Sequence, residues 1–158
     1  MGDTEIILFV LTLLIGFYMS WNIGANDVSN AIGTSVGSGA LTLRHAVILA
    51  AIFEFAGAFL VGGNVSEMVQ SGIVKPDLFI HEPMQLVYGM MASLCAAGVW
   101  LQVASYFGWP VSTTHSIVGA VFGFGLIYGG QGAIQWENMG TIVMSWLVSP
   151  ILGAVSAY

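Results

Sequence analysis

Long apolar blocks separated by short polar islands dominate the chain, and their lengths predict helices that cross a membrane. In windows of about 20 residues, apolar spans cover about Glu5 to Trp21, Leu43 to Gly63 and Pro83 to Phe107, and a last span begins near Met139. A further apolar segment, residues 117–130, is short, with about one half to two thirds of the residues that a crossing needs. The pattern predicts an all-α, polytopic membrane protein with about five spans, some of them broken or re-entrant.

The ends and connections of these spans are less regular. The first span follows Asp3 and Glu5 instead of a basic region, so we interpret it as a retained span and not as a signal peptide. Residues 63–83 carry Glu67, Lys75, Asp77, His81 and Glu82 and are predicted to form an exposed or interfacial connection. The chain stops at Tyr158 inside apolar sequence without an anchoring flank, which favours a fragment or a structural half.

Composition and charge agree with a membrane protein and exclude several other classes. The chain is 57% hydrophobic and only 6% charged, with a mean hydropathy of +0.89, whereas soluble domains carry roughly 25% charged residues. A net charge of −6 leaves no basic surface for nucleic acid. Ser112 and His115 are close in sequence but lack the G-x-S-x-G pattern of a serine hydrolase, and the lone Cys95 lies in an apolar block. We therefore predict neither an enzyme nor a bound cofactor.

The first polar island is "WNIGANDVSNAIGTSVGSGALT", residues 21–42. If it is helical, three amides spaced four residues apart line one face, beside a carboxylate; these are Asn22, Asn26, Asn30 and Asp27. Polar groups within a membrane are costly and normally face a bundle interior or a water-filled path, and hard oxygens suit a small cation. The alternative is that the amides join helices through hydrogen bonds, while Gly33 and Gly37 form a packing face.

The second polar island is "WPVSTTHSIVG", residues 109–119. Pro110 can begin a helix, and three hydroxyls then lie beside the free N–H groups of its first turn, those of Ser112, Thr113 and Thr114. Such a helix end binds phosphate or carboxylate without Lys or Arg, and membrane transporters use it at broken helices. The alternative is an ordinary helix cap, and His115 by itself is more often a bystander than a proton carrier.

The two islands resemble the signature stretches of the inorganic phosphate transporter (PiT) family of membrane symporters. The match rests on "GANDVSNAIGTSVGSGALT" and "PVSTTHSIVGA", with "FEFAGAFLVGGNVSEMVQSGIV" and "WLVSPILGA" in the family's order. The resemblance implies a transporter built from two inverted repeats with about twice as many spans. Residues 1–158 would then be its N-terminal repeat, with the second repeat absent from this chain.

The resemblance also implies roles for individual residues. The expected phosphate ligands are Ser112, Thr113, Thr114 and Asn26. The expected cation ligands or coupling residues are Asp27, Asn22, Asn30 and Glu54, with Na⁺ on Asp27. For Glu54, the residue alone indicates only an intramembrane acid of functional importance, and His115 is a candidate proton relay.

The charge balance supplies a mechanism for such a transporter. Arg44 and Lys75 are the only permanent cations and neither lies in an island, so phosphate facing Asp27 and Glu54 would be repelled by several kcal/mol at low dielectric. We therefore predict symport with Na⁺, held by Asp27, amide and hydroxyl oxygens and unwound carbonyls. Protons could substitute through Asp27, Glu54 or His115.

Two other functions stay open at the level of the sequence: a sulfate permease of a related type, and a non-transporting membrane scaffold subunit. The predicted partners are inorganic phosphate, sodium ions, the lipid bilayer and a second transporter half, with a homo-oligomer as the expected assembly. The predicted location is the cell (inner) membrane, as a multi-pass protein.

Overall fold

The structure, a computed structural model, describes residues 2–158 and is helical almost throughout. Its α-helices are α1 Asp3–Gly37, α2 Leu43–Ser71, α3 Pro83–Phe107, α4 Thr113–Gly129 and α5 Trp136–Ala157, and short 3₁₀ helices cover Pro76–Phe79 and Gly130–Ala133. All five α-helical segments, with α4 extended to Ala133, are long and apolar enough to cross a membrane. The predicted all-α architecture with five apolar spans is confirmed.

Helix α1 is much longer than the first apolar span predicted from the sequence. The span was expected to stop at Trp21, but the helix continues through the first polar island to Gly37. No proline interrupts this stretch, and the Ser29 hydroxyl donates to the carbonyl of Ala25 within the helix at 2.8 Å. The polar residues therefore do not break the helix. The helix ends where Gly39 takes a φ of +77°, which favours glycine.

Two further boundaries also differ from the prediction. Helix α2 continues eight residues past Gly63 to Ser71, because the segment assigned to a polar connection contains no helix breaker before Gly72. Helix α5 begins at Trp136, three residues earlier than the predicted Met139. Helix α3 matches its predicted span, since Pro83 begins it and Gly108 follows it.

Helix α1 packs on α3 and α4 through small and medium-sized side chains. Met19 and Leu101 are buried around Ala97, and the partly buried Val111 packs beside them. Gly98 lies against the ring of Tyr18, where an added Cβ would come within 2.8 Å of a ring carbon. The close approach lets α1 and α3 run parallel, which brings the polar half of α1 beside the end of α3.

The second core lies near the C-terminal end of α4. There, two chain segments form an isolated antiparallel bridge between Val74 and Ile134. The backbone N–H of Lys75 donates to the Ala133 carbonyl at 2.9 Å, and the N–H of Gln135 donates to the Ile73 carbonyl at 3.0 Å. The buried members of this core are Ile73, Val74, Phe79, Val118, Val121, Ala133 and Ile134. The bridge therefore joins the end of α2 to the start of α5.

Candidate functional site

The break between α3 and α4 is produced by glycine and a serine cap. Gly108 takes a φ of +68° after α3, a left-handed conformation that glycine adopts without strain. The sequence predicts that Pro110 begins the next helix, and this is wrong: Ser112 is the N-cap. Its side-chain oxygen accepts the backbone N–H of His115 at 3.2 Å. This cap fixes the first turn, so the helix begins at Thr113 and not at Pro110.

The shortest hydrogen bond between the two polar islands joins α4 to α1. The Thr113 hydroxyl donates to Asp27 Oδ2 at 2.8 Å. Thr113 is buried, with 8% of its surface exposed, and Asp27 is half-buried. Since a hydroxyl has one proton, this bond commits the Thr113 donor to the carboxylate but leaves lone pairs on its oxygen. Among residues 2–158, Asp27 Oδ1 accepts no hydrogen bond.

Two asparagines of α1 fasten that helix to the α3–α4 connection. The Asn26 amide donates to Ser105 Oγ and to the Trp109 carbonyl, both at 3.5 Å. The Asn30 amide donates to Asn26 Oδ1 at 3.0 Å and to the Val111 carbonyl at 3.3 Å. The helix is unbroken around Asp27, and the non-helical carbonyls beside these asparagines are those of Trp109 and Val111 in the α3–α4 connection.

A polar cleft of about 410 Å³ opens between these asparagines and the end of α3. Its lining includes the hydroxyls of Ser29 and Ser105 beside the two amides. Sequence reasoning missed Ser105 because it lies inside an apolar span. The available signal was its position three residues before Gly108, in the last turn of α3.

A second and larger cleft, of about 650 Å³, lies on the other side of the α4 start, between the C-terminal half of α2 and α5. Its polar residues are Asn64, Ser112, Thr114, His115, Ser145 and Ser149. Thr114 and His115 are exposed there, and the His115 ring stacks on Trp146 with centroids 3.8 Å apart. The serines of α5 and Asn64 of α2 were not predicted, since each stands alone in apolar sequence.

The remaining predicted residues lie apart from these contacts. Asn22 is buried, and its amide donates to the carbonyl of Tyr18 in its own helix at 2.9 Å. Glu54 is exposed on α2 and forms no hydrogen bond within residues 2–158. It follows Ala50, a buried residue of α2, by four positions, so it shares the face on which α2 packs. The structure therefore brings together Asn26, Asp27, Asn30 and Thr113, and leaves Asn22 and Glu54 outside that cluster.

Among residues 2–158, no Lys or Arg lines either cleft. Arg44 lies at the start of α2 and Lys75 at the bridge, where its ammonium donates to the Gly132 carbonyl at 2.9 Å. The favourable groups for an anion are thus the free N–H groups and hydroxyls at the start of α4. Carboxylate, hydroxyl and amide oxygens nearby favour a cation.

Comparison with known proteins gives consistent matches over nearly the whole chain. Residues 23–158 match the model of the "Phosphate transporter family". The chain is 59% identical over 147 residues to "Inorganic phosphate transporter 2-1, chloroplastic" of Arabidopsis thaliana, covering 93% of the chain and 25% of that protein. It is 58% identical over 151 residues to a putative phosphate permease of Chlamydia pneumoniae, covering 96% of the chain and 35% of that protein.

A solved structure is similar as well. The structure titled "The sodium-dependent phosphate transporter" superposes with a TM-score of 0.89 at 42% sequence identity, and the match covers 94% of this chain and 37% of that one. The chain therefore spans between about a quarter and slightly more than a third of the length of these relatives.

Proposed function

This chain belongs to the phosphate transporter family, and from that premise we propose that it takes part in moving inorganic phosphate across a membrane by symport with Na⁺. Membership confirms the family resemblance seen in the sequence. It also confirms that the chain is not an enzyme, since the family is one of transporters. With its five apolar helices, the protein is an integral, multi-pass membrane protein.

Phosphate binds, in this proposal, at the start of α4. Thr113, the first residue of α4, bonds Asp27 ten residues before α1 ends at Gly37, a distance of about 15 Å along that helix, so the start of α4 can lie below the membrane surface. There the partial positive charge of the helix end is poorly screened and favours an anion. The hydroxyls of Ser112 and Thr114 face the larger cleft and supply donors, and Asn26 is the phosphate contact proposed from the other side.

The cation binds beside Asp27. Its Oδ1 atom and the lone pairs of the Thr113 hydroxyl are oxygens of the kind that bind Na⁺, with Asn30 close by and Asn22 one turn earlier in α1. The solved relative is a sodium-dependent phosphate transporter, which supports Na⁺ as the coupling ion. Glu54 and His115 remain candidates for coupling to protons.

The observation that carries the proposal is the hydrogen bond from Thr113 to Asp27. Thr113 is the first residue of α4, so the helix end assigned to the anion is tied directly to the carboxylate assigned to the cation. A cation on Asp27 would compete for the Thr113 oxygen and shift the first turn of α4. Binding of the two ions is thereby coupled through one side chain.

We also propose that residues 1–158 act as one half of the transporter and that a second, inverted half completes the site. The chain covers only 25–37% of the relatives named above. Both clefts are open toward the outside of this bundle, and α5 has no buried residue within the described part of the chain. Partners of the same helical type could cover these surfaces.

The test is uptake of radiolabelled phosphate into proteoliposomes by the protein at its natural length. Asp27→Asn should abolish Na⁺-driven uptake while the protein still folds, because an amide has nearly the carboxylate's shape without its charge. Asp77→Asn, at an exposed 3₁₀ helix outside the clefts, is the matched control and should transport normally.

Three results of this assay separate the alternatives. Replacing Na⁺ with choline should stop uptake; uptake that persists in choline but stops with a protonophore would replace Na⁺ by H⁺. Competition by sulfate as strong as by phosphate would favour a sulfate permease. Normal Na⁺-driven uptake by Asp27→Asn would refute the assignment of Asp27.

A further inference from the structure

Pro150 lies inside helix α5 and deprives one backbone carbonyl of its usual hydrogen-bond donor. Helix α5 covers Trp136–Ala157, so the proline is in its interior. In an α-helix, the N–H of each residue donates to the carbonyl four positions earlier, and proline has no N–H to donate. The carbonyl of Trp146 therefore lacks this bond and is available to a donor from outside the helix.

The geometry of α5 places this carbonyl on the side of the larger cleft. A helix carbonyl points toward the residue four positions on, so that of Trp146 points toward Pro150, and both residues line the cleft. The Trp146 indole also stacks on the ring of His115 with centroids 3.8 Å apart. The carbonyl is thereby held beside the first turn of α4, whose N-cap Ser112 lines the same cleft.

The other polar groups of this cleft can all donate. The hydroxyls of Ser112 and Thr114 lie beside the free N–H groups of the first turn of α4. The Asn64 amide and the Ser149 hydroxyl can each turn to donate or to accept. Among residues 2–158, no Asp or Glu lines the cleft. Apart from carbonyls bonded within helices, the Trp146 carbonyl is therefore the group that can only accept.

An acceptor of this kind distinguishes phosphate from sulfate. The two anions have the same tetrahedral shape, but at neutral pH phosphate keeps at least one hydroxyl group and sulfate has none. Donors bind the oxygens of either anion. An acceptor pairs with the phosphate hydroxyl but meets only lone pairs of sulfate, and a site that bonds a substrate hydroxyl rejects an analogue without it.

We propose that the Trp146 carbonyl, released by Pro150, accepts the hydroxyl of phosphate bound at the start of α4 and thereby selects phosphate over sulfate. Trp146 determines specificity through its backbone, and Pro150 makes that backbone group available. The inference rests on the proposed function, namely phosphate binding at the start of α4, and adds the basis on which the anion is chosen.

The experiment measures how sulfate and monofluorophosphate inhibit Na⁺-driven uptake of radiolabelled phosphate into proteoliposomes at neutral pH. In monofluorophosphate a fluorine replaces the hydroxyl, so the tetrahedral shape is kept and the donor is lost. The readout is the inhibition constant of each anion divided by KM, the half-saturating phosphate concentration. In the parent protein, both ratios should be about ten or more.

Three variants locate the source of the selectivity. Pro150→Ala restores the N–H that pairs with the Trp146 carbonyl, so both ratios should fall about tenfold. Pro83→Ala is the matched control: Pro83 begins α3, where an N–H has no partner within the helix, and both ratios should stay unchanged. Asn64→Leu removes an amide that can donate to either anion. It should raise KM and the inhibition constant of sulfate together and keep their ratio.

The outcomes separate this inference from the proposed function. A parent protein that takes up no phosphate would refute the proposed function, and the inference with it. A parent that transports phosphate, with ratios that Pro150→Ala leaves unchanged, would refute the inference alone. A fall of the sulfate ratio in Asn64→Leu as large as in Pro150→Ala would overturn the assignment to the carbonyl.

The parent protein also provides a test that needs no variant, in case Pro150→Ala fails to fold. An inhibition constant for monofluorophosphate equal to the KM for phosphate would show that the hydroxyl is not recognised, and would overturn the inference. Weak inhibition by both sulfate and monofluorophosphate is the expected result.

Discussion

Replacing Thr113 with valine removes the hydroxyl that joins α4 to Asp27 and nearly preserves the shape of the side chain. In the parent, that hydroxyl donates to Asp27 Oδ2 at 2.8 Å. Without it, the half-buried carboxylate loses its hydrogen bond from α4. The Thr113 oxygen is also a proposed ligand of Na⁺, so the substitution weakens the cation site as well, and its cost should be larger when Na⁺ is present.

The magnitude follows from two reference ranges. Interhelical hydrogen bonds in membranes contribute about 0.6 kcal/mol on average and at most about 1.7, whereas bonds to charged groups contribute about 1.5–3 kcal/mol. Thr113 is buried but Asp27 is only half-buried. The contribution of this bond should therefore lie where the two ranges overlap, at about 1.5 kcal/mol. We expect Thr113→Val to lower the free energy of unfolding by about 1.5 kcal/mol in choline and by clearly more in Na⁺, because the variant also lacks one proposed Na⁺ ligand.

The assay is reversible unfolding of the purified protein in mixed micelles, followed by tryptophan fluorescence, in Na⁺ and in choline. Thr113→Ser retains the hydroxyl and should lose less stability. Thr12→Val is the matched control, because the Thr12 hydroxyl donates to the Leu8 carbonyl within α1 at 2.8 Å. An equal loss for Thr113→Val in both salts would refute the cation site beside Asp27, and a loss no larger than that of Thr12→Val would refute the strength assigned to the bond.

Two further predictions concern packing and the interhelical amides. Gly125→Ala should destabilise the protein by about 1–3 kcal/mol, because an added Cβ would lie 2.5 Å from a methyl carbon of Val74, whereas Gly123→Ala meets nothing within 4 Å; equal unfolding midpoints would contradict this. Asn26→Leu should lower the free energy of unfolding by about 1 kcal/mol, because it removes the hydrogen bonds from the buried Asn26 amide to Ser105 and to the Trp109 carbonyl. Ser29→Ala, which loses only a bond within α1, should have little effect in the same titration, and similar losses for the two would refute the role of Asn26.

The sequence predicted helix number and type well because long apolar blocks report directly on membrane helices. It failed at the ends of α1 and α2 because hydropathy measures the preference for lipid, while a helix continues until a glycine, a proline or a cap stops it. The amides in the polar half of α1 bond Ser105 of α3 and Val111 of the α3–α4 connection. These contacts join residues about 80 positions apart, which local sequence does not reveal.

The candidate site was predictable in its residue types and less so in its arrangement. The motifs indicated that both islands matter, and the Thr113–Asp27 bond is the closest contact between them. The motifs did not reveal that Thr113 faces α1 while its neighbour Thr114 faces the opposite cleft. Adjacent residues on a helix point in directions about 100° apart, so one signature stretch serves two clefts.

The Val74–Ile134 bridge determines how the chain is threaded through the bilayer. Because the bridge joins the two ends of the α3–α4 hairpin, that hairpin enters and leaves at the same membrane face, whether or not it crosses fully. If α1, α2 and α5 each cross once, as their length and hydropathy allow, the helical ends Asp3 and Ala157 lie on opposite sides. An odd number of crossings reverses the orientation of any segment joined after it, so a second copy of this unit fused in tandem would be inverted by connectivity alone.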